Sequence, residues 1–294
     1  MTAQIIDGKK IASDIQIELK ERIKILNAKG INPKLVTIMV GEDPASVSYL
    51  RGITRTCSEV GVTTEPVKLS QDITQKQLLG KINELNKDKT VHGILLFLPL
   101  PKHLNALEAE SAISPDKDVD GTNPISTGKL LLGEETFFPS TPYGVQELLM
   151  RSGNNPDGKH VVIVGRSNIV GKPLMGILIQ KQKGANATVT VCHTGTKNLS
   201  QITRQADILV AAIGKAKAIT ADMVREGAVV IDVGVNFVPD PVTGKNKQVG
   251  DVDFETVKEV AGAITPVPGG TGAVTSVMLM VNTVRAAEKA AGMA

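Results

Sequence analysis

Tryptophan is absent, and two tyrosines with five phenylalanines are the whole aromatic content of the 294-residue chain. So few flat side chains leave little on which to stack bases. The 33 basic and 30 acidic residues leave a net charge of +3, too weak a field for phosphate backbones, so nucleic acid is excluded as a partner. Long apolar runs are missing as well. No stretch approaches the ~20 residues that a membrane span needs, and residues 1–10 contain no apolar core of signal-peptide type, so a cytoplasmic location is expected. Only Cys57 and Cys192 occur, far apart, as expected of buried reduced thiols. His92, His103, His160 and His193 show no HxxH or HExxH spacing, so no metal site is expected.

What is present is alternation. Ile11, Ile15, Leu19, Ile23 and Leu26 recur at helical spacing and predict an amphipathic helix over 9–29, stopped by Gly30. Residues 35–40 read as a buried strand, 45–60 as a helix, 64–68 as a short strand, 74–87 as a helix and 92–98 as a strand halted by Pro99 and Pro101. The second half repeats the rhythm, with strands at 161–164, 187–191, 207–212 and 228–233 and helices at 171–182, 197–205 and 220–225. An exposed turn over 240–248 and a long final helix over 272–291 complete it. This βαβ pattern implies an α/β fold of mainly parallel sheets covered by helices. At about 150 residues per domain the length suggests two domains, with a seam near 136–141.

Three segments carry chemistry. In Val162-Ile163-Val164-Gly165-Arg166-Ser167-Asn168-Ile169-Val170-Gly171-Lys172-Pro173 a strand runs into a glycine turn and a helix opening. That order aims free backbone N–H groups and the positive helix end at an anion, usually phosphate, unless it is a plain strand-to-helix turn. The spacing is not GxGxxG. Arg166 either pairs with a ribose 2′-phosphate, which favours NADP over NAD, or is a surface arginine; Thr194, after His193, adds a hydroxyl. In Pro115-Asp116-Lys117-Asp118-Val119-Asp120-Gly121 the three carboxylates fit a solvated loop, but Asp120, between Val119 and Gly121, is placed to turn inward. The run Thr265-Pro266-Val267-Pro268-Gly269-Gly270-Thr271-Gly272 makes a stiff loop with bare backbone before a helix, suited to a ligand or to a rigid connector. Upstream, Gly41-Glu42-Asp43-Pro44-Ala45-Ser46 leads to Tyr49, which shares a helix face with Ile53.

Taken together with Ile6-Asp7-Gly8-Lys9 and Leu98-Pro99-Leu100-Pro101, these segments resemble the methylenetetrahydrofolate dehydrogenase/methenyltetrahydrofolate cyclohydrolase family over nearly the whole chain. The resemblance implies a folate-binding catalytic domain over 1–140, onto which the C-terminal helix 272–294 packs back, and a Rossmann-type dinucleotide domain over 141–271. It implies that Tyr49 lies along the folate, that Asp120 holds the pterin, and that Phe97, Leu98, Pro99, Pro268, Gly269 and Gly270 complete the substrate site. Gly165, Arg166, Ser167, Ile169, Val170, Gly171, Pro173, His193, Thr194 and Thr275 are the expected cofactor contacts. The expected cofactor is NADP, with NAD as the alternative, and the expected assembly is a homodimer.

Two positions depart from the family pattern. Its lysine, four residues after the tyrosine, is Ile53 here, and its glutamine before Leu-Pro-Leu-Pro is Phe97. Hydride transfer from the one-carbon bridge needs orientation more than a proton shuttle, whereas hydrolysis of the resulting cation needs a tuned acid/base group. Isoleucine and phenylalanine cannot serve, and Arg51 and Arg55 are too basic to act as bases. The departures therefore predict a dehydrogenase with weak or absent cyclohydrolase activity. Three alternatives stand beside it. One is a fully bifunctional enzyme whose water is activated by another residue such as Asp120; the others are a dehydrogenase for a different tetrahydropterin and a non-catalytic folate-binding paralogue.

Overall fold

The computed structural model describes residues 2–239, 244 and 246–293. The first half runs β1 (Gln4–Ile5), α1 (Gly8–Ala28), β2 (Lys34–Val40), α2 (Pro44–Val60), β3 (Thr63–Leu69), α3 (Gln75–Lys87), β4 (Gly93–Leu96), α4 (Ala106–Ala112), α5 (Pro124–Leu132) and α6 (Ser140–Arg151). The second runs β5 (His160–Val164), α7 (Gly171–Leu178), β6 (Thr188–Cys192), α8 (Leu199–Thr203), β7 (Ile208–Ala211), β8 (Val229–Asp232), β9 (Asn236–Pro239), β10 (Asn246–Val249), α9 (Phe254–Val257), β11 (Ala263–Ile264) and α10 (Thr271–Ala290). Among the described residues no helix is long and apolar enough to cross a membrane, and no cluster of His, Cys, Asp or Glu could hold a metal ion. Cys57 and Cys192 are both buried and free.

The chain divides into two compact units. One comprises Ser13–Ser140 with Ser276–Ala294. Its sheet is parallel, in the order β3-β2-β4. The near-continuous apolar run Leu35-Val36-Thr37-Ile38-Met39-Val40 is what a central strand covered on both faces requires, and all six residues are buried. Val36, Ile38, Ile94 and Leu96 pack with Leu78, Ile82 and Leu85 of α3 in one core. Helix α3 starts at a capping box, with Thr74 accepting from the Gln77 N–H and Gln77 reaching back to Thr74. Helix α1 ends where Gly30 takes φ +77°.

The other unit comprises Met1–Ala12 with Thr141–Thr275. Its six-stranded sheet is parallel throughout, in the order β1-β11-β8-β7-β5-β6. Strand β5 comes first in sequence among β5 to β8, and it has β6 on one side and β7 on the other. The strand order thus reverses beside β5, the crevice at which open α/β sheets bind ligands.

Several expectations are corrected. Residues 1–12 lie in the second unit rather than in a 1–140 domain, because Gln4 and Ile5 pair with Ala263 and Ile264. The helix expected over 171–182 ends at Leu178, where the Ala187 N–H bonds the Leu178 carbonyl and the chain doubles back. The helix expected over 220–225 is a single 3-10 turn, Ala221–Met223. Helix α6 occupies the expected seam and its C-terminal side. The turn expected over 240–248 falls largely outside the described residues (240–243 and 245), and residues 246–248 belong to β10, which pairs antiparallel with β9.

Truncating the fully buried Ile82 tests the first core. Ile82→Ala is expected to cost about 2–5 kcal/mol, the range for Ile-to-Ala cavities, read as a lowered denaturation midpoint for the unit of Ser13–Ser140 and Ser276–Ala294.

Candidate functional site

The Ser13–Ser140 unit brings Tyr49, Phe97 and Asp120 together. Helix α2 opens with Asp43, whose carboxylate accepts the Ser46 N–H at 2.8 Å and the Ser46 hydroxyl at 2.9 Å, and Pro44 stands in its first turn. One turn on, Tyr49 is 38% exposed, whereas Ile53 is wholly buried. The position of the family lysine is therefore sealed in the core. Phe97 leaves β4 with its N–H on the Ile38 carbonyl, and its ring meets the Tyr49 ring edge-on, with centroids 5.8 Å apart and planes at 81°. Leu98 and Pro99 follow, exposed, joined by a cis peptide.

Asp120 sits on a loop that is built rather than solvated. Asp118, fully buried, accepts the N–H groups of Thr122 (3.1 Å) and Asn123 (2.9 Å). The Asn123 side chain caps α5 through the Ile125 N–H and donates to the Ile113 carbonyl at 2.8 Å. Gly121 takes φ +63°, and a Cβ there would stand 2.6 Å from the Phe137 carbonyl oxygen, so only glycine fits. Ser140, at the start of α6, donates its hydroxyl to Asp120 at 2.8 Å. Burial pushes the Asp120 carboxyl up to about 6, and the charges of Asp118 and Glu110 add to the rise while the Ser140 hydroxyl opposes it. Burial, and then the Asp120 charge, also push the Tyr49 phenol up. The Ser140 contribution was not visible in the sequence, because a serine twenty residues downstream carries no local signal.

The Met1–Ala12 and Thr141–Thr275 unit holds the remaining candidates. Gly165 takes φ +141°, and a Cβ there would lie 2.1 Å from the Ala212 carbonyl oxygen; a Cβ on Gly171 would lie 2.1 Å from that of Gly165. Bare backbone is required at both positions. No side chain caps the start of α7, and Ser167 only ties the turn by accepting the Val170 N–H. The helix opening is thus free to face an anion. Ile169 is exposed, Val170 half-buried and Pro173 buried in the first turn. Strands β5 and β6 are in register at Val164 and Cys192, so Arg166 and the His193-Thr194 pair leave the same sheet edge side by side. Arg166 and Thr194 are exposed. The imidazole Nδ1 of His193 accepts the Gly195 N–H at 3.0 Å, which leaves the proton on Nε2. Thr275, by contrast, is tied internally, its hydroxyl on the Thr271 carbonyl.

Pro268, Gly269 and Gly270 line a cavity of about 300 Å³ together with Lys9 and Asp232. Asp232 accepts the N–H groups of Gly234, Asp251 and Val252, and burial pushes its carboxyl up to about 6. Asp251, fully buried, holds the N–H groups of Ile213, Gly214 and Lys215, the turn after β7. Both aspartates escaped the sequence reading; their only signal was an acidic residue at the end of an apolar run and between Gly250 and Val252.

Comparison with known proteins identifies relatives over the whole chain. Residues 6–120 match the family described as tetrahydrofolate dehydrogenase/cyclohydrolase, catalytic domain, and residues 139–291 match the NAD(P)-binding domain of the same description. The chain is 55% identical over 293 residues to the bifunctional protein FolD of Syntrophus aciditrophicus, covering 100% of both. It is similar to the crystal structure of the bifunctional methylenetetrahydrofolate dehydrogenase/cyclohydrolase of Campylobacter jejuni, with TM-score 0.92, 45% identity and coverage of 98% and 99%. It is also similar to the Trypanosoma brucei dehydrogenase-cyclohydrolase complexed with NADP and inhibitor, with TM-score 0.91, 36% identity and 99% of each chain covered.

The Ser140 bond has a measurable consequence. Ser140→Ala removes a group that favours the charged carboxylate, so the Asp120 midpoint is expected to rise above about 6, read by carboxyl ¹³C NMR against pH.

Proposed function

Because the chain belongs to the tetrahydrofolate dehydrogenase/cyclohydrolase family, we propose that it is a bifunctional enzyme that oxidises 5,10-methylenetetrahydrofolate with NADP and hydrolyses the methenyl product. The weak hydrolysis expected from Ile53 and Phe97 gives way to this reading. Relatives at 55% identity bear the name bifunctional, and the structure offers an acid/base group in place of the lysine.

We assign that role to Asp120, and the observation that carries the proposal is its carboxylate held by the Ser140 hydroxyl at 2.8 Å on a loop that Asp118 braces; burial pushes that carboxyl up to about 6. The charges that act on Asp120 are those of Asp118 and Glu110, and both raise its proton affinity. At neutral pH Asp120 is mostly ionised yet close enough to its midpoint to carry a proton. Hydrolysis adds water to the cationic one-carbon bridge, Asp120 takes the proton that this water releases, and one C–N bond of the bridge then breaks as its nitrogen takes up a proton, leaving a formyl group on the other nitrogen. Its charge also suits the cationic bridge and the N–H groups of a pterin, while the Tyr49 and Phe97 rings offer flat surface. The phenol of Tyr49, kept protonated by burial and by Asp120, remains a hydrogen-bond donor.

The two positions without room for a Cβ, Gly165 and Gly171, support a turn of bare backbone that a dinucleotide could approach closely. Gly165, Ser167, Ile169, Val170, Gly171 and Pro173 form the turn that would seat the phosphates, and Arg166, with His193 and Thr194, would meet a 2′-phosphate, which favours NADP. Bound there, NADP supplies the hydride acceptor. Thr275 has a smaller share, since its hydroxyl is already used. A cytoplasmic homodimer completes the proposal.

Two assays test it. Nicotinamide absorbance with methylenetetrahydrofolate should show NADP reduction, and the methenyl chromophore should then decay faster than in buffer. Asp120→Asn is expected to slow that decay by about 10²–10⁴-fold, the usual contribution of a general acid/base. NADP reduction with methenyl decay at the uncatalysed rate would return the protein to the dehydrogenase-only class. Ile53→Lys should lower the pH midpoint of hydrolysis, because an added ammonium favours the Asp120 carboxylate.

A further inference from the structure

Helix α10 carries one buried polar side chain that packing does not explain. Asn282 is fully buried, and its Nδ2 donates to the Val119 carbonyl at 2.7 Å and the Phe138 carbonyl at 2.8 Å. Its Oδ1 has no partner. Leaving a buried acceptor unmade is costly, and such an atom asks for a reason. The two acceptors supply one. Val119 immediately precedes Asp120, and Phe138 lies two residues before Ser140, whose hydroxyl holds the Asp120 carboxylate. Chain and hydrogen bonds thus close a ring from Asn282 through Val119, Asp120, Ser140, Pro139 and Phe138 back to Asn282, with the carboxylate built into it. The same two segments press backbone against backbone at Gly121 and Phe137. The geometry demands two N–H donors from one short side chain. Aspartate has none, leucine has none, and glutamine is one methylene longer.

We infer that Asn282 is a positioning residue, which fixes the Asp120 carboxylate against the Ser140 hydroxyl from the far end of the sequence. The inference rests on the reading of Asp120 as the proton-carrying group. Asn282 touches no reacting atom; it sets the spacing between the acidic loop and the start of α6, and through that spacing the strength of the Ser140 bond. The groups that set the charge state of Asp120 are then Ser140 from α6, Glu110 from α4 and Asp118 from its own loop, while the nearby Tyr49 phenol of α2 stays protonated and carries no charge. Of these, only the Ser140 bond depends on the clamp, so loosening it moves the Asp120 midpoint in one direction, upward.

Asn282→Leu keeps the volume and removes both donors, whereas Asn282→Ala leaves room for a water to bridge the two carbonyls. The pH–rate profile of methenyl hydrolysis, the KM for the folate substrate and for NADP, and the melting temperature are measured for both variants and for Asp120→Asn. The expected result is a higher pH midpoint and a folate KM raised about tenfold in Asn282→Leu, a smaller change in Asn282→Ala, and an NADP KM within twofold of wild type in both. A lowered melting temperature with pH midpoint and folate KM unmoved overturns the inference and leaves Asn282 a structural residue. If Asn282→Leu does not fold, the Asn282→Ala profile decides alone, and an unmoved midpoint there overturns it too. If Asp120→Asn retains wild-type hydrolysis, it is the Asp120 reading that fails, whatever the Asn282 variants do.

Discussion

Parallel strand pairing is the constraint from which the sites follow. A parallel ladder points every strand the same way, so the segments that leave the C-terminal ends emerge along one edge. In the three-stranded sheet, Gly41 follows β2 and Phe97 follows β4. In the six-stranded sheet, Gly165 follows β5, His193 follows β6, Ala212 follows β7, Val233 follows β8 and Thr265 follows β11. Phe97, Leu98 and Pro99 in one unit and Gly165, Arg166, Ser167, His193 and Thr194 in the other stand within a few positions of such an end, whereas Tyr49 and Asp120 are carried to their places by α2 and by the loop before α5. The ladder is kept by apolar runs buried on both faces, which is why the strands are rich in Val, Ile and Leu and why polar chemistry begins only where they stop.

Edges place loops but do not fix their shape, and here buried carboxylates do that. Asp118 gathers the N–H groups of Thr122 and Asn123, Asp232 those of Gly234, Asp251 and Val252, and Asp251 those of Ile213, Gly214 and Lys215. Removing a carboxylate from water is expensive, and several charge-assisted bonds to backbone at about 1.5–3 kcal/mol each offset it. The device suits a catalyst, because backbone N–H groups held by a buried acceptor have little freedom left. Crowded glycines belong to the same device. Cβ atoms on Gly234 and Gly250 would stand within 2.2 Å of the Asp251 and Asp232 carboxylates, so the loops close around the acceptors only without side chains.

Much of this was legible in the sequence, and what was not has a physical reason. Continuous apolar runs located β2, β4, β5, β7 and β8, and apolar residues at helical spacing located α1, α2, α3 and α10, within a few residues, because strands covered on both faces and helices with one buried face each leave their mark on the sequence. Helices α4, α5 and α6 were missed. They are held by caps, by Asn123 and by neighbours distant in the chain, and a nine-residue helix such as α5 shows too few turns to declare a face. β1 was missed because two residues carry no period at all. For the sites, the glycine turns announced themselves since bare backbone is a local requirement. The partners of Asp120 did not, because Ser140 and Asn282 reach it from 20 and 162 residues away, and nothing local marks a residue whose role is to hold another's carbonyl.

The exchange of a lysine for Ile53 shows how a departure from a family pattern can be misread one residue at a time. Tyr49, Ile53 and Cys57 recur every four residues, on one face of α2; Ile53 and Cys57 are fully buried, and Cys57 packs against Met280 of α10. An isoleucine there completes an apolar stripe and strengthens the core, and it also removes a cation. Asp120, half-buried at the surface yet desolvated at its carboxyl and flanked by the charges of Asp118 and Glu110, does not keep an ordinary proton affinity. Desolvation is the largest cause of its rise to about 6, ahead of the charges of Asp118 and Glu110.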